Sequence, residues 1–209
     1  MRVAGHRVPF DMVTIVLHWT TVSLISFQFM TGLSLEFFDH RIPASAFLDI
    51  HRSTGTLIWL VSAARLIWRS RFARFPPFPT WMSAVQIWFA RHTEHLLYAL
   101  LLLQPLSGLG MSLMFGRPFH LFFMTVPAMP WANLYYSSCF ETVHLVDAYA
   151  LLTVIGGHAG MALLHHYVFK DDVLEKMAPW VKQRQPRLAP SSTLQVPGSM
   201  DGQIVRSRG

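Results

Sequence analysis

The chain has 209 residues, of which 52% are hydrophobic and only 13% charged, against about a quarter charged in an ordinary soluble domain. That deficit excludes a typical water-soluble globule and points to a membrane protein. The formal charge of +6 does not argue for nucleic-acid binding, because the Arg and Lys residues gather at the ends of apolar runs, where membrane orientation needs them.

In chain order, the N-terminus imitates a secretory leader, with Arg2 and Arg7, an apolar run and then Ala44-Ser45-Ala46 as a cleavage-like site. The run over 12–35 is longer than the 7–15-residue apolar region of such leaders and carries His18 and Gln28, so it is expected to be retained. Further apolar runs cover 51–68, 92–115 and 142–169. Each of the four approaches or exceeds the roughly 20 residues a spanning helix needs. No period-two alternation is sustained, which argues against a membrane β-barrel.

The connections orient these spans. The first, 36–50, holds Glu36, Asp39, Arg41 and Asp49; the second, 69–91, holds Arg69, Arg71, Arg74 and Arg91 and is the basic one. By the positive-inside rule the N-terminus and the second connection face the cytoplasm. Four spans then return the C-terminus there, where Lys170, Lys176 and Lys182 fit. Within the second connection the Pro-rich stretch 75–81 is expected to be extended, and Trp81, Trp88 and Phe89 to lie in an aromatic belt. The third, 116–139, with Pro118, Pro127, Pro130, Trp131, Tyr135 and Tyr136, is expected to form an interfacial cap over the outer end. Beyond about residue 184 the chain is polar and rich in Pro, Ser and Gly, a composition that cannot offset its ordering entropy. The expected organisation is therefore an all-α, transmembrane four-helix domain over 1–180 and a disordered cytoplasmic tail over 181–209.

The chemistry lies in the histidines. In the last span His144 and His158 are fourteen residues apart, which on an α-helix is a rise of roughly 21 Å and about 40° short of four full turns. Both rings thus lie nearly on one face, one toward each side of the bilayer. Ionisable groups inside a membrane are costly and default to a functional reading. His18 stands near the cytoplasmic start of the first span and His51 at the outer start of the second. Two histidines therefore lie at each level, pairing as His51 with His144 and His18 with His158. Paired imidazoles suit the two axial positions of a haem that carries electrons. Cys139 is the only cysteine, so no C-x-x-C-H attachment exists and each haem would be b-type.

The same spacing recurs without histidine. Arg65 follows His51 by fourteen residues, at the inner level, where a guanidinium can bind a haem propionate. Gly32 follows His18 by fourteen and Gly55 lies one turn beyond His51; both are expected to let a flat ring approach the backbone. His165 and His166 sit at the cytoplasmic end of the last span. There they are expected to serve proton transfer to a quinone reduced near the inner haem. His92 and His95 are expected to open the third span at the cytoplasmic interface.

Several segments carry a family resemblance: Leu17-His18-Trp19, His51-Arg52-Ser53-Thr54-Gly55, Arg65-x-x-x-Arg69, Pro105-Leu106-Ser107-Gly108-Leu109, Val143-His144, and the run from His158 through His165-His166-Tyr167 to Lys170-Asp171-Asp172-x-Leu174-x-x-Met177-x-Pro179. In these the chain resembles the bacterial cytochrome b561 family, four-helix dihaem membrane cytochromes of the bacterial inner membrane that include superoxide oxidase. The resemblance implies two haem b groups, one on His18 and His158 and one on His51 and His144, with both termini cytoplasmic. It further implies an oxidoreductase that takes electrons from superoxide or a periplasmic redox protein and passes them to ubiquinone or a related quinone. The alternative it leaves open is a cytochrome b anchor subunit linking a soluble hydrogenase or dehydrogenase to the quinone pool.

Overall fold

The computed structural model describes residues 10–37, 44–73, 82–171 and 173–181. Four long helices dominate: α1 (Met12–Phe37), α2 (Ala44–Arg71), α3 (Ala84–Met114) and α4 (Leu134–Leu164). α4 runs on into a π-helical turn at His165–Phe169, and a short α5 covers Val173–Met177. The proposed extended stretch 75–81, the tail beyond Val181, and the residues Arg2, Arg7, Asp39 and Arg41 lie outside the described residues.

Three of these helical stretches are long and apolar enough to cross a membrane: Met12–Ser34, Ala84–Met114 and Leu134–Phe169. α2 falls short of that standard, because Asp49, Arg52, Arg65, Arg69 and Arg71 interrupt its apolar residues.

Three boundaries differ from the sequence reading, each because the helix starts before the expected span. α2 begins at Ala44, so His51 stands two turns inside the helix rather than at its start, and Ala44-Ser45-Ala46 is helical. α3 begins at Ala84, eight residues before His92, because Ser83 and Gln86 form a reciprocal cap: the Ser83 hydroxyl accepts from the Gln86 backbone N–H, and the Gln86 side chain from that of Ser83. α4 begins at Leu134, with the Asn133 side chain accepting from the Tyr135 N–H.

The third connection is also more regular than its prolines suggest. Phe119–Leu121 (β1) pairs antiparallel with Met124–Val126 (β2), in the register Phe119 opposite Val126. At the turn Phe122 adopts φ 54°, a left-handed conformation uncommon for an aromatic residue. The hairpin is pinned to α2: the Phe122 N–H donates to Ser53 Oγ (2.8 Å) and the His120 N–H to Asp49 Oδ1 (3.2 Å). Arg52 completes the knot, donating to Asp49 and to Ser112 Oγ and lying over the Phe119 ring.

Helix packing runs α1 on α2, α2 on α3 and α3 on α4. A buried apolar cluster of Ile58, Leu101 and Leu151, flanked by Leu24, Ile25, Phe29, Leu97, Leu100 and Ile155, lies midway along the helices. In sequence these residues fall between His18 and Thr31 on α1, between His51 and Arg65 on α2 and between His144 and His158 on α4. The interior is therefore stacked in three storeys, with polar residues above and below an apolar middle. At one end the chain beyond α4 folds back onto the start of α1. There the Trp19 indole N–H donates to the Met177 carbonyl (2.9 Å), and Trp19 packs on Trp180.

Candidate functional site

The helices bring four of the sequence-selected histidines together as two pairs. The ring centres of His51 and His144 are 6.2 Å apart, and those of His18 and His158 are 6.4 Å apart. The four lie on three different helices, so the pairing is a product of the tertiary fold.

The His51–His144 pair is held by a hydrogen-bonded frame. Thr31 Oγ1 is 3.1 Å from His51 Nδ1, and the Thr31 hydroxyl proton is committed to the Gln28 carbonyl (2.9 Å). The hydroxyl oxygen must therefore accept, which fixes the proton on Nδ1 of His51. Gln28 also donates from its side-chain amide to the His51 carbonyl (3.0 Å), so α1 grips both backbone and ring. Across the pair, His144 Nδ1 lies 3.0 Å from the Gln104 carbonyl and 3.2 Å from Ser107 Oγ. A carbonyl can only accept, so Nδ1 is again the protonated nitrogen. On both rings Nε2 keeps its lone pair. The Gln104 side-chain amide reaches the His144 Nε2 (3.2 Å), and a ligand on that nitrogen would turn this flexible side chain aside.

Gly108 clears the space for His144: a Cβ built there would meet His144 Cε1 at 2.9 Å and Nδ1 at 3.1 Å. The two glycines selected from sequence lie on the same side. A Cβ at Gly32 would meet the His51 ring at 3.4 Å, and one at Gly55 would meet the Gln28 amide at 3.2 Å. Both face the frame around His51.

The His18–His158 pair has no such frame. Neither ring is hydrogen-bonded among the described residues, and His18 Nδ1 is buried. A basic layer stands beside it instead. Arg65, fourteen residues along α2 from His51, lies with its guanidinium 5.5 Å from the Tyr98 ring centre. Arg69, one turn on, forms an ion pair with Glu94 of α3.

At the end of α4 the two adjacent histidines part company. His165 is buried, and its Nδ1 lies 2.6 Å from Asp171 Oδ2. Lys170, at φ 53°, turns the chain so that Asp171 can reach back. Asp171 Oδ1 accepts from the Val173 N–H (3.1 Å), so the carboxylate is itself held in place. His166 is half-buried beside Tyr167. His92 and His95 are exposed, their Nδ1 atoms bonded to the Trp88 and Arg91 carbonyls one turn back. They belong to their own helix surface.

Sequence reasoning missed Gln28 and Thr31 as holders of His51, and Gln104, Ser107 and Gly108 as the cradle of His144. The available signal was four polar residues and a glycine facing inward from otherwise apolar spans. It also passed over Asp147, which is buried three residues beyond His144 with neither carboxylate oxygen hydrogen-bonded among the described residues.

A helical membrane protein whose helices turn imidazole pairs toward one another is the class this geometry defines. Residues 9–180 match the prokaryotic cytochrome b561 family, and the chain belongs to that family. It is 28% identical over 170 residues to the probable superoxide oxidase CybB of Yersinia pestis, covering 81% of this chain and 96% of that protein. It is 26% identical over 175 residues to cytochrome b561 homolog 1 of Escherichia coli K12 (81% and 97% covered) and 27% identical over 176 residues to homolog 2 (80% and 90%). The family consists of membrane electron-transfer cytochromes that bind b-type haem.

The residues present fit that group. With metal–nitrogen bonds of about 2 Å, two imidazoles on opposite faces of one iron have ring centres roughly 6 Å apart, and both pairs meet this. In the framed pair Nδ1 is the protonated nitrogen, which leaves Nε2 for a metal.

Proposed function

We propose that this chain is a dihaem cytochrome b that crosses the bacterial inner membrane four times, with both termini cytoplasmic, and moves electrons from an outer donor to membrane quinone. The single observation that carries this reading is the pair of ring separations, 6.2 and 6.4 Å, at two levels with an apolar layer between them. In it, His51 and His144 hold an outer haem, and His18 and His158 hold an inner one. Domain 1–180 does this work, a boundary supported by the family match over 9–180, and α2 serves as the fourth span although its arginines lower its apolarity.

Each haem, held by one histidine pair, would supply a one-electron carrier. The chain's own residues do the rest. Arg65 on α2 offers a cation for an inner propionate. The Arg52–Asp49–Ser112 knot and the hairpin close the outer end. Reduction of a quinone to its quinol takes two electrons and two protons. His165, its ring held by Asp171, and His166 are the groups proposed to deliver the protons from the cytoplasmic side.

Superoxide and ubiquinone are the enzymatic form of the reaction: two superoxide anions each give one electron, two protons are taken up, and the products are two dioxygen molecules and ubiquinol. The naming of one relative as a probable superoxide oxidase supports this choice. A second reading, an anchor subunit for a soluble redox partner, is favoured by the exposed Phe123 and Met124 at the hairpin tip.

A visible spectrum of the purified protein tests the dihaem reading, which requires the reduced α-band of b-type haem at two haems per chain. Rapid reduction by superoxide followed by quinone-dependent reoxidation then supports the oxidase. Failure of that assay with co-purification of a soluble redox protein supports the anchor subunit.

A further inference from the structure

The two histidine pairs have nearly the same ring separation but opposite hydrogen-bonding environments. We propose that this difference sets an order of reduction potentials, with the His51–His144 site the lower and the His18–His158 site the higher. The proposal rests on the dihaem reading above and adds to it a direction.

The argument begins with the protons. Both rings of the framed pair donate Nδ1–H to an oxygen whose own role is fixed: Thr31 Oγ1 has given its proton to the Gln28 carbonyl, and the acceptor at His144 is the Gln104 carbonyl, shared with Ser107. An imidazole that donates a strong hydrogen bond from one nitrogen becomes more basic at the other. A more basic ligand stabilises the more positive, oxidised metal and so lowers the potential; second-shell hydrogen bonding is one of the recognised levers on haem potential. The unframed pair lacks that lever among the described residues, since neither ring donates to any oxygen. It has the opposite influence nearby: Arg65, fourteen residues along α2 from His51, stands toward that pair against the Tyr98 ring, whereas Arg52 beside His51 is ion-paired with Asp49. A fixed positive charge favours the less positive, reduced state and so raises the potential.

Both effects point the same way. One electron leaving the His51–His144 site, which is oxidised, and entering the His18–His158 site, which is reduced, runs downhill, and neither ring gains or loses a proton. Thr31 and Ser107 are thus positioning residues that act on the potential through the histidines they touch.

The test is a spectroelectrochemical titration of the haem-loaded full chain in detergent, with haem content measured in parallel. Thr31→Val removes the acceptor at nearly constant volume, and Ser107→Ala removes the second contact to His144. In each variant the lower of the two waves is expected to move upward while the upper wave stays. For Thr31→Val the shift expected is on the order of tenfold in the equilibrium constant between the two sites, about 59 mV for a one-electron couple. Thr21→Val is the control: that buried hydroxyl, one turn from His18, bonds only the Leu17 carbonyl, and its loss should move neither wave. Movement of the upper wave in Thr31→Val or Ser107→Ala, or of neither wave in both, overturns the proposal. Wild-type protein carrying a single haem overturns the dihaem reading instead, and the haem assay reads that separately.

Discussion

The two histidine pairs show how one protein can build the same separation in two ways. At His51 and His144 the rings are fixed by side chains and carbonyls from α1 and α3, and Gly108 is small so that His144 can lie against the helix backbone. At His18 and His158 no hydrogen bond holds the rings among the described residues, and the surroundings supply charge and packing: Arg65 on Tyr98, Arg69 on Glu94, and Trp19 tied to Met177. A framed site specifies orientation and tautomer, whereas an unframed one tolerates adjustment. A substitution in a frame residue should therefore touch one site only.

The largest expected effect comes from removing a ring. His51→Ala or His144→Ala should halve the haem content and leave the site of the other pair intact, and His18→Ala or His158→Ala should do the reverse. A haem assay with spectra of each variant checks this, and two haems per chain in any of the four would break the pairing. Next in size is the carboxylate partner of His165. Asp171→Asn keeps the shape but weakens a charge-assisted hydrogen bond. Quinone-dependent reoxidation should fall, on the order of a hundredfold if His165 acts as the proton donor, with haem content unchanged. Unchanged reoxidation would remove His165 from that role.

Gly108→Ala sharpens the comparison from the packing side. In an exposed helix this change stabilises by about 1 kcal/mol. Here the new methyl meets His144 at 2.9 Å, and overpacking of that kind costs about 1–3 kcal/mol. The expected outcome is reduced occupancy of the His51–His144 site alone, read by haem content. Gly156→Ala, where a Cβ meets nothing within 4 Å, should leave haem content unchanged.

The smallest effect concerns the end of the molecule nearer His18. Burial acts to raise the Asp11 carboxyl, but hydrogen bonds from the Thr14 side chain and N–H and from the Trp68 indole outweigh it and hold it below the usual 3.8. A depressed carboxylate contributes stability that is present above its unfolded value and lost as pH falls through its folded one. Thermal unfolding should therefore show a small loss below about pH 4 that Asp11→Asn reduces.

Much of this was legible in the sequence because the histidines obey the helix period. His144 and His158 had to share a face once their span was helical, and the partners on other helices followed from depth. Helix limits were less legible. Ala44 to Ile50 and Ala84 to Arg91 read as connection, yet caps and first turns lie outside the core of an apolar run, so α2, α3 and α4 start earlier than expected while α1 starts at Met12 as expected. The hairpin at Phe119–Val126 was hidden because three-residue strands among prolines leave no usable alternation. The frame was illegible for a different reason. Thr31, Gln104 and Ser107 gain their meaning from contacts made across helices, at sequence separations of 20 to 40 residues.

At the end of α4, the π turn sets a phase. An α-helix advances about 100° per residue, and a π turn takes in an extra residue, so whatever follows points in a different direction from its α-helical continuation. Over His165–Phe169 that extra residue separates the direction of His165 from what comes next, and left-handed Lys170 then returns Asp171 to the imidazole. Deleting a single residue from the turn, such as Val168, would rewind it and carry the carboxylate about a quarter-turn off target. The meeting of His165 and Asp171 is thus a matter of counting, and it tolerates changes of side chain along the turn far better than a change in its length.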